Sequence, residues 1–190
     1  MMAYRFFLVF AIGIFFNNAI CAQTEAQIKS RKIRAVVSQS TELKDGVLST
    51  RTECEWYDRK GNILERKIFN NDSICSSWKK FSYNRKGLIV ADLTLNPTSG
   101  GVKSTREFFY NRFDDEILST LKNSTGVEEE RIVTSYDADG KKTLITKYET
   151  GEKLVSRTSF IYDNKGMMIS RITRNSKDEV ISEKSIKYTY

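Results

Sequence analysis

Histidine is missing from all 190 residues, and its absence excludes more enzyme chemistry than any other feature of the sequence. Ser-His-Asp and Cys-His nucleophiles, the usual catalytic zinc sites and the commonest general base near neutral pH all need histidine. Phosphate-binding loops and dinucleotide fingerprints are missing as well. We therefore expect neither a metal nor a cofactor, and carboxylate chemistry is the only catalytic chemistry left to consider.

Proline and helical periodicity are also scarce. The single proline, Pro97, lies in the polar turn NPTSGG, and the one short helix that the pattern allows falls in residues 24–31. The rest of the mature chain is rich in Val, Ile, Thr, Tyr and Phe, in runs bounded by Gly, Asn and Asp, which is typical of β-strands. The sequence therefore predicts an all-β protein.

The first 22 residues have the pattern of a secretory signal peptide. Arg5 precedes an apolar run over residues 6–16, which is too short to span a bilayer, and small residues follow. We expect cleavage after Ala22, with a cut after Cys21 as the alternative, and export to the periplasm or the cell surface. Lipidation of Cys21 is not expected, because Ile20 stands where lipobox sequences have a small residue.

The remaining chain, residues 23–190, has the size of a single domain. No second apolar run is long enough to cross a membrane. Of the 31 basic residues one is Arg5, so the mature charge is 30 − 24, or +6. This charge favours either a soluble basic surface or affinity for anionic polymers such as acidic glycans or lipid headgroups. Nucleic acid is not an expected partner of an exported chain.

A tyrosine-containing turn motif recurs through the chain at a nearly constant period. It reads YDRKG from Tyr57, YNRKG from Tyr83, YDADG from Tyr136 and YDNKG from Tyr162, with YNRFD from Tyr110 as a degenerate copy. The tyrosines are 26, 27, 26 and 26 residues apart, and one more step of 26 reaches Tyr188. Such a period indicates an array of supersecondary units.

A second polar turn lies halfway between successive tyrosines, so each 26-residue unit holds two antiparallel strands. The residues that open these turns, thirteen positions after each tyrosine, are Asn70, Asn96, Asn123, Glu149 and Asn175. In the tyrosine turns we expect the Asp or Asn to hydrogen-bond its own backbone and the Gly to adopt a positive φ angle. Asp114 replaces that Gly in the degenerate copy and is expected to tolerate the same conformation.

The two turns per period predict an antiparallel meander of about twelve strands in a curled open sheet. A closed β-barrel is the alternative, because closure removes the sheet edges. The residues two positions before the tyrosines are mostly large and apolar, so the tyrosine side of the sheet is predicted to be buried and the other side half-wet. The predicted strands are 32–40, 47–57, 62–69, 75–83, 88–95, 102–110, 116–122, 128–136, 141–148, 154–162, 167–174 and 180–190.

No disulfide is expected between Cys54 and Cys75, the two cysteines of the mature chain. In a meander one strand separates them, which places their Cα atoms about 9 to 10 Å apart across the sheet. The repeat adds an offset of about 17 Å along the strands. A disulfide needs Cα atoms within about 7 Å of each other.

The motif aromatic-x-Tyr-Asp-x-x-Gly resembles the YD repeats of Rhs-type and teneurin-type proteins. The best matches are FIYDNKG at residues 160–166 and FSYNRKG at residues 81–87, and the five copies cover most of the mature chain. The period is longer than in those repeats, and the array is too short for their large shells. In size and signal type the chain also resembles small exported proteins of Bacteroides-type bacteria. The resemblance implies a β-rich extracytoplasmic scaffold that binds carbohydrate or protein, and it transfers no catalytic residue.

Three aromatic residues on the half-wet side are the candidate ligand-binding residues. Trp56, Trp78 and Phe109 share the same strand parity and would form a stacking platform for sugar rings. The alternative is that these rings belong to the core. Burial of Trp56 and Phe109 would exclude the platform.

Acidic runs at turns are the remaining candidates for chemistry. Residues 114–116 and 128–130 carry three carboxyl groups each, and a solvated surface is the simpler interpretation of both. The D-x-D-G stretch at residues 137–140 lacks the other ligands of a calcium loop and is read as a turn. We therefore predict an exported, non-enzymatic binding or structural module for a glycan or protein ligand. The alternative is a carboxylate-dependent glycoside hydrolase.

Overall fold

The computed structural model describes residues 25–44, 46–71 and 73–189. The predicted signal peptide lies outside these residues, and so do its cut after Ala22 and the question of Cys21. Within the described part of the chain, no helix is both long and apolar enough to cross a membrane.

Twelve antiparallel strands follow one short helix, α1 (Glu25–Ser30). The strands are hydrogen-bonded in chain order, which confirms the predicted meander. In the described chain the first and last strands each pair on one side only, so the sheet is open and the closed barrel is wrong. The strands are β1 Ala35–Lys44, β2 Val47–Tyr57, β3 Ile63–Phe69, β4 Cys75–Tyr83, β5 Ile89–Leu95, β6 Val102–Tyr110, β7 Glu116–Asn123, β8 Glu128–Tyr136, β9 Lys142–Glu149, β10 Lys153–Tyr162, β11 Met168–Asn175 and β12 Val180–Ser185.

The predicted strand bounds differ most from the observed ones at the two edges of the sheet. β1 begins at Ala35 instead of residue 32, because the backbone just after α1 still closes the helix and the N–H of Ile33 donates to the carbonyl of Ile28. β12 ends at Ser185 instead of residue 190, although the N–H of Ile186 still donates to the carbonyl of Ile169 on β11.

The described residues group into two compact units. Unit 1 comprises the residues up to Ser82 together with Leu93–Lys103, and unit 2 comprises Tyr83–Asp92 together with the residues from Ser104 onward. The assignment of residues 23–190 to one domain stays a prediction. In the described chain only Ile28 and Leu95 are buried apolar residues, so the strands are held mainly by ladder hydrogen bonds and half-buried cross-strand pairs.

The predicted division between the two sides of the sheet is confirmed. At all six tyrosine positions the residue two places earlier is buried or half-buried, as Phe108 and Thr134 illustrate. The residue directly before the tyrosine is exposed at all six positions. These exposed residues are Trp56, Ser82, Phe109, Ser135, Ile161 and Lys187.

The turn chemistry is also as predicted. The Asp163 carboxylate accepts hydrogen bonds from the backbone N–H groups of Lys165 (3.0 Å) and Met167 (2.8 Å). Gly166 has a φ of 78°, and Asp114 adopts the same conformation with a φ of 70°. The paired bonds to the N–H groups two and four residues on recur at Asp58, Asn84, Asn111, Asn123, Asp137 and Asn175.

The turn at Glu149 departs from this pattern. Its side chain makes no capping hydrogen bond, and a short 3₁₀ turn, Thr150–Glu152, replaces the Asp/Asn turn. Both Gly151 and Glu152 have positive φ angles, 75° and 62°. Glutamate has one methylene more than aspartate. Its carboxylate is therefore carried past the position from which an aspartate accepts hydrogen bonds from the two backbone N–H groups.

Four repeat tyrosines of unit 2, Tyr110, Tyr136, Tyr162 and Tyr188, use their hydroxyls to hold the start of the neighbouring strand. Tyr110 donates to the carbonyl of Ile89 at 2.7 Å, and Tyr162 donates to that of Lys142 at 2.8 Å. Tyr188 donates to the carbonyl of Met168 at 2.9 Å although it lies beyond the end of β12. The sequence predicted these tyrosines only as core residues, and the hydroxyl bond gives a more specific reason for the repeat.

The register between repeats differs from the one that the 26-residue period implies. Cys54 of β2 is paired with Lys67 of β3, which is paired with Trp78 of β4. The 26-residue period would instead align Cys54 with Lys80 of β4. Cys75 is therefore offset from Cys54 by about two residues, or about 7 Å, and the predicted 17 Å was wrong. The two strand spacings remain, and both thiols are free in the structure. The absence of a disulfide stays a prediction.

The reason for the register lies in the spacing of the turns. Successive turns open at Asp58, Asn70 and Asn84, which are 12 and then 14 residues apart. The tyrosine-to-asparagine count of thirteen hid this alternation. Because the turns are unequally spaced, a residue and its equivalent one repeat later are not aligned across the sheet but are offset by two residues. This offset staggers the sheet.

Candidate binding groove

An open groove of about 550 Å³ lies against β6, β7 and β8 within unit 2. Its volume is in the range of small-molecule sites. The residues that line it are Glu107, Phe109, Ile117, Leu118, Thr120, Lys122, Glu128, Arg131, Val133 and Thr134.

The strand register sets an apolar row beside a polar row in this groove. Leu118 of β7 is paired with Phe109 of β6 and Val133 of β8. Thr120 of β7 is paired with Glu107 and Arg131 in the same way. Because opposed residues of antiparallel strands project from the same side, the two rows share one surface.

The Thr120 hydroxyl is the most unusual feature of the groove. Thr120 is only 6% exposed, and its Oγ1 is buried without a hydrogen-bond partner among the described residues. A buried hydroxyl without a partner costs about 1 to 3 kcal/mol, and such groups are rare in folded proteins. Thr120 belongs to the lining of the groove, which makes a polar ligand bound there the candidate for the missing partner.

Ion pairs bound the polar side of the groove. Lys122 Nζ lies 2.7 Å from Glu107 Oε2, and Arg131 Nε lies 2.8 Å from Glu128 Oε1. Arg131 also reaches Glu152 at 3.1 Å. These contacts fix the directions of donors and acceptors along the groove, which is the arrangement that orients a polar ligand.

A second open cavity of about 720 Å³ adjoins the first within unit 2. Ile117 and Thr134 line both cavities. The other residues that line the second cavity belong to the turn after β6, the start of β7, the end of β8 and the turn after it: Asn111, Phe113, Asp115, Ser135, Tyr136, Asp137, Ala138, Asp139 and Gly140.

Phe109, one of the three predicted aromatic residues, lines the first cavity and is 46% exposed. Trp56 is 37% exposed, so the alternative that placed both rings in the core does not hold for these two residues. Their part in ligand binding stays a prediction. Trp56 and Trp78 belong to unit 1 and Phe109 belongs to unit 2.

Lys67 joins the two tryptophans of unit 1. Its Nζ lies 4.1 Å from the ring centroid of Trp78 and 5.7 Å from that of Trp56. Gly100 also packs against Trp78, since a Cβ added to it would stand 3.4 Å from the ring. Lys67 and Gly100 of the chain itself therefore both lie against the Trp78 ring. Trp78 Nε1 is buried without a partner in the described chain. Trp56 is therefore the more accessible ring of the pair.

Each of the two acidic runs contains carboxylates that contact other side chains. Glu130 accepts contacts from Arg106 (2.7 Å) and Lys147 (2.5 Å), and Lys86 lies 2.6 Å from Asp114. Burial alone would raise the pKa of Glu130, but the hydrogen bonds from Lys147 and Arg106 outweigh it and lower the pKa below its ordinary value. Glu130 is thus held ionised. In the described residues no group of three His, Cys, Asp or Glu side chains is arranged to hold a metal ion.

The sequence interpretation found Phe109 and missed Thr120. A threonine in a strand carries no signal of its own, because threonine is common in strands. The signal that was available is the 12 and 14 spacing of the turn residues, which sets the register and brings Thr120 beside Glu107 and Arg131.

Comparisons with known proteins support the fold. No protein-family profile matches the chain, and no curated protein matches it by sequence. The solved structure of TcdB2-TccC3-TEV is similar over 80% of this chain, with a TM-score of 0.51 and 14% identity. This chain spans only 8% of the length of that one.

Two further solved structures match less well. A porin-like protein from Bacteroides uniformis matches 82% of this chain and 56% of its own, with a TM-score of 0.46 and 12% identity. A second TcdB2-TccC3 structure, without the hypervariable C-terminal region, matches 80% of this chain and 11% of its own, with a TM-score of 0.30 and 10% identity. At these identities the likeness to TcdB2-TccC3-TEV shows a β-repeat fold and does not extend to function.

Proposed function

We propose that this chain is an exported, non-enzymatic β-repeat module that binds a glycan in the groove of unit 2. The observation that carries the proposal is the buried Thr120 hydroxyl, which has no partner in the described chain and lies on the lining of an open groove. Phe109 offers an exposed ring beside it.

The chemistry of the groove suits a sugar ring. A pyranose presents one apolar face of C–H groups and a rim of hydroxyls that both donate and accept hydrogen bonds. Phe109 and Leu118 supply apolar surface for the face, and Thr120 with the Glu107–Lys122 pair supplies partners for the rim. Export and the YD-repeat resemblance are part of the same proposal, since both fit an extracytoplasmic binding scaffold.

Binding is favoured over hydrolysis by the state of the carboxylates. A glycosidase needs one carboxylic acid that holds a proton and a second carboxylate on the other side of the bond to be cut. Glu107 and Glu128, the two carboxylates that line the first cavity, are both acceptors in ion pairs at 2.7 and 2.8 Å. Both carboxylates therefore have internal cationic partners, which supports binding over hydrolysis.

The proposal is tested by calorimetric titration of residues 23–190 with a panel of glycans, together with a reducing-end assay for hydrolysis. We expect binding without release of reducing ends. Thr120→Val keeps the shape of the side chain and removes a hydroxyl that has no internal partner, so it should weaken binding about tenfold without loss of stability. Phe109→Ala should weaken binding by at least as much.

Two matched variants control for general effects on the sheet. Ile161→Ala removes an exposed apolar side chain at the equivalent repeat position, and Thr146→Val removes the hydroxyl of a buried threonine that does not line the groove. Both should bind like the unmodified protein. Glycan binding that is unchanged in Phe109→Ala and Thr120→Val would contradict the assignment of the binding site to this groove. Release of reducing ends from a glycan would show that the protein is a hydrolase.

A further inference from the structure

Phe113 lines the second cavity, as Phe109 lines the first. It is 69% exposed, the most exposed large apolar side chain of the described chain. The guanidinium carbon of Arg112 lies 4.6 Å from the centre of its ring, which orients the ring while leaving most of it open to solvent.

The two cavities adjoin on unit 2, since Ile117 and Thr134 belong to both linings, and together they define a path from Phe109 to Phe113. The path runs along β8, from Arg131 in the first cavity to Asp137 in the second. At about 3.4 Å per residue, these six steps correspond to about 20 Å. A single sugar ring fills only part of such a path.

The residues that line this path have a net negative charge, whereas the chain as a whole has a net positive charge. Five acidic residues line the two cavities and two basic residues do, a balance of 2 − 5, or −3. The net charge of the whole chain is +7. The acidic residues are Glu107, Glu128, Asp115, Asp137 and Asp139, and the basic ones are Lys122 and Arg131. Arg112 and Lys141 lie against Phe113 and Asp139, and with them the balance is 4 − 5, or −1, so the path has no excess of positive charge to select an anionic polymer.

The carboxylates of the second cavity are already engaged within the chain. Asp137 accepts the N–H groups of its own turn, and Asp115 accepts a bond from Asn111 at 3.1 Å. Asp139 lies 3.6 Å from Lys141. A cationic ligand would have to compete with these contacts, whereas hydroxyl groups can add to the free lone pairs of the same oxygens.

Resting on the proposed function, we infer that the ligand is a neutral, linear glycan chain that crosses both cavities, with Phe113 as a second stacking residue. Phe109 and Thr120 bind one part of the chain and Phe113 binds the next. The basic character of the protein lies outside this path and does not select the ligand.

The test is the dependence of affinity on chain length and charge. Residues 23–190 are titrated with neutral linear oligosaccharides, from the disaccharide to the hexasaccharide of gluco-, manno- and xylo-series, and with polygalacturonate and a sulfated glycan. We expect the affinity to rise at least about tenfold from the disaccharide to the hexasaccharide. It should change less than about twofold between roughly 0.05 and 0.5 M salt, over which exposed charges become screened.

The variants separate the inference from the proposal on which it rests. Phe113→Ala should abolish the gain with length and leave disaccharide binding unchanged, whereas Phe109→Ala should weaken every length. An affinity that is independent of length, or tighter salt-sensitive binding of the acidic glycans, would overturn the inference while glycan binding stands. Binding of no glycan, or binding of a protein or peptide ligand in the groove instead, would overturn both.

Discussion

The hydroxyl of Tyr136 donates a hydrogen bond of 2.9 Å to the backbone carbonyl of Glu116, the first residue of the neighbouring strand. The repeat tyrosine thus ties the end of β8 to the start of β7, directly after the preceding turn. We expect Tyr136→Phe to lower the free energy of unfolding by about 1 kcal/mol, because it removes this bond and leaves the ring in place. Urea denaturation measures the change.

Tyr148→Phe is the matched control for this prediction. Tyr148 lies within β9, and its hydroxyl makes no hydrogen bond to the described residues, so its removal should change stability by less than about 0.5 kcal/mol. Equal losses in the two variants would mean that the repeat tyrosines act through their rings alone.

The same tyrosine predicts a pH dependence. Burial raises the pKa of Tyr136 above its ordinary value of 10.0, and the charges of Asp115 and Glu116 add to the rise. A raised folded-state pKa gives stability that is present below pH 10 and is lost as the pH rises through the folded-state value. The stability difference between the unmodified protein and Tyr136→Phe should therefore shrink above pH 10. A difference that grows there would contradict the assignment.

Asp114 occupies a left-handed position that glycine holds in the intact copies of the motif. Asp114→Gly should raise stability by about 1 kcal/mol, since a side chain in this conformation is strained and the Lys86 contact it gives up is exposed. The reciprocal change, Gly140→Asp, should lower stability by a similar amount at a φ of 77°. Thermal melts of the two variants should shift in opposite directions, and shifts of the same sign would count against the strain.

Glu130 is the centre of a half-buried ion cluster on β8. Glu130→Gln removes a charged acceptor of Arg106 and Lys147 and should cost about 1.5 to 3 kcal/mol at pH 7. Its lowered pKa gives stability that is present above the unfolded-state value and is lost as the pH falls through the folded-state value. The cost should therefore decline below about pH 4. An equal cost at pH 7 and pH 2 would show that packing, not charge, is lost.

The two thiols of the mature chain should remain free outside the cell. Alkylation under denaturing, non-reducing conditions is expected to modify both Cys54 and Cys75. In the folded protein Cys54 should react more slowly than a free thiol, because burial raises its pKa, against the opposing charge of Lys67. A bridged peptide in a non-reducing digest would contradict the observed register of β2, β3 and β4.

The local pattern of the sequence was sufficient for the strands and turns. Asp163 and Gly166 specify the turn through bonds within five residues, and the exposed position of Phe109 follows from its place beside Tyr110. Such features depend on near neighbours along the chain, so the period of the sequence reveals them.

The features that the sequence did not reveal depend on register. The partner of the Tyr136 hydroxyl is twenty residues away, and Thr120 becomes part of a groove only through its neighbours on β6 and β8. Both follow from the stagger of two residues, which the tyrosine period alone does not indicate. The Glu149 turn was predicted as one of a series because its position fits, although its side chain cannot make the bonds of the others.

The most direct test of the binding groove is the map of backbone amide shifts on addition of a neutral linear glycan to isotope-labelled protein 23–190. We expect the largest shifts at Leu118, Thr120 and Val133, with the shift of Phe113 changing as the glycan is lengthened. We expect little change at Trp56 and Trp78. Shifts that concentrate on the two tryptophans and leave Thr120 unmoved would contradict the assignment of the ligand to unit 2.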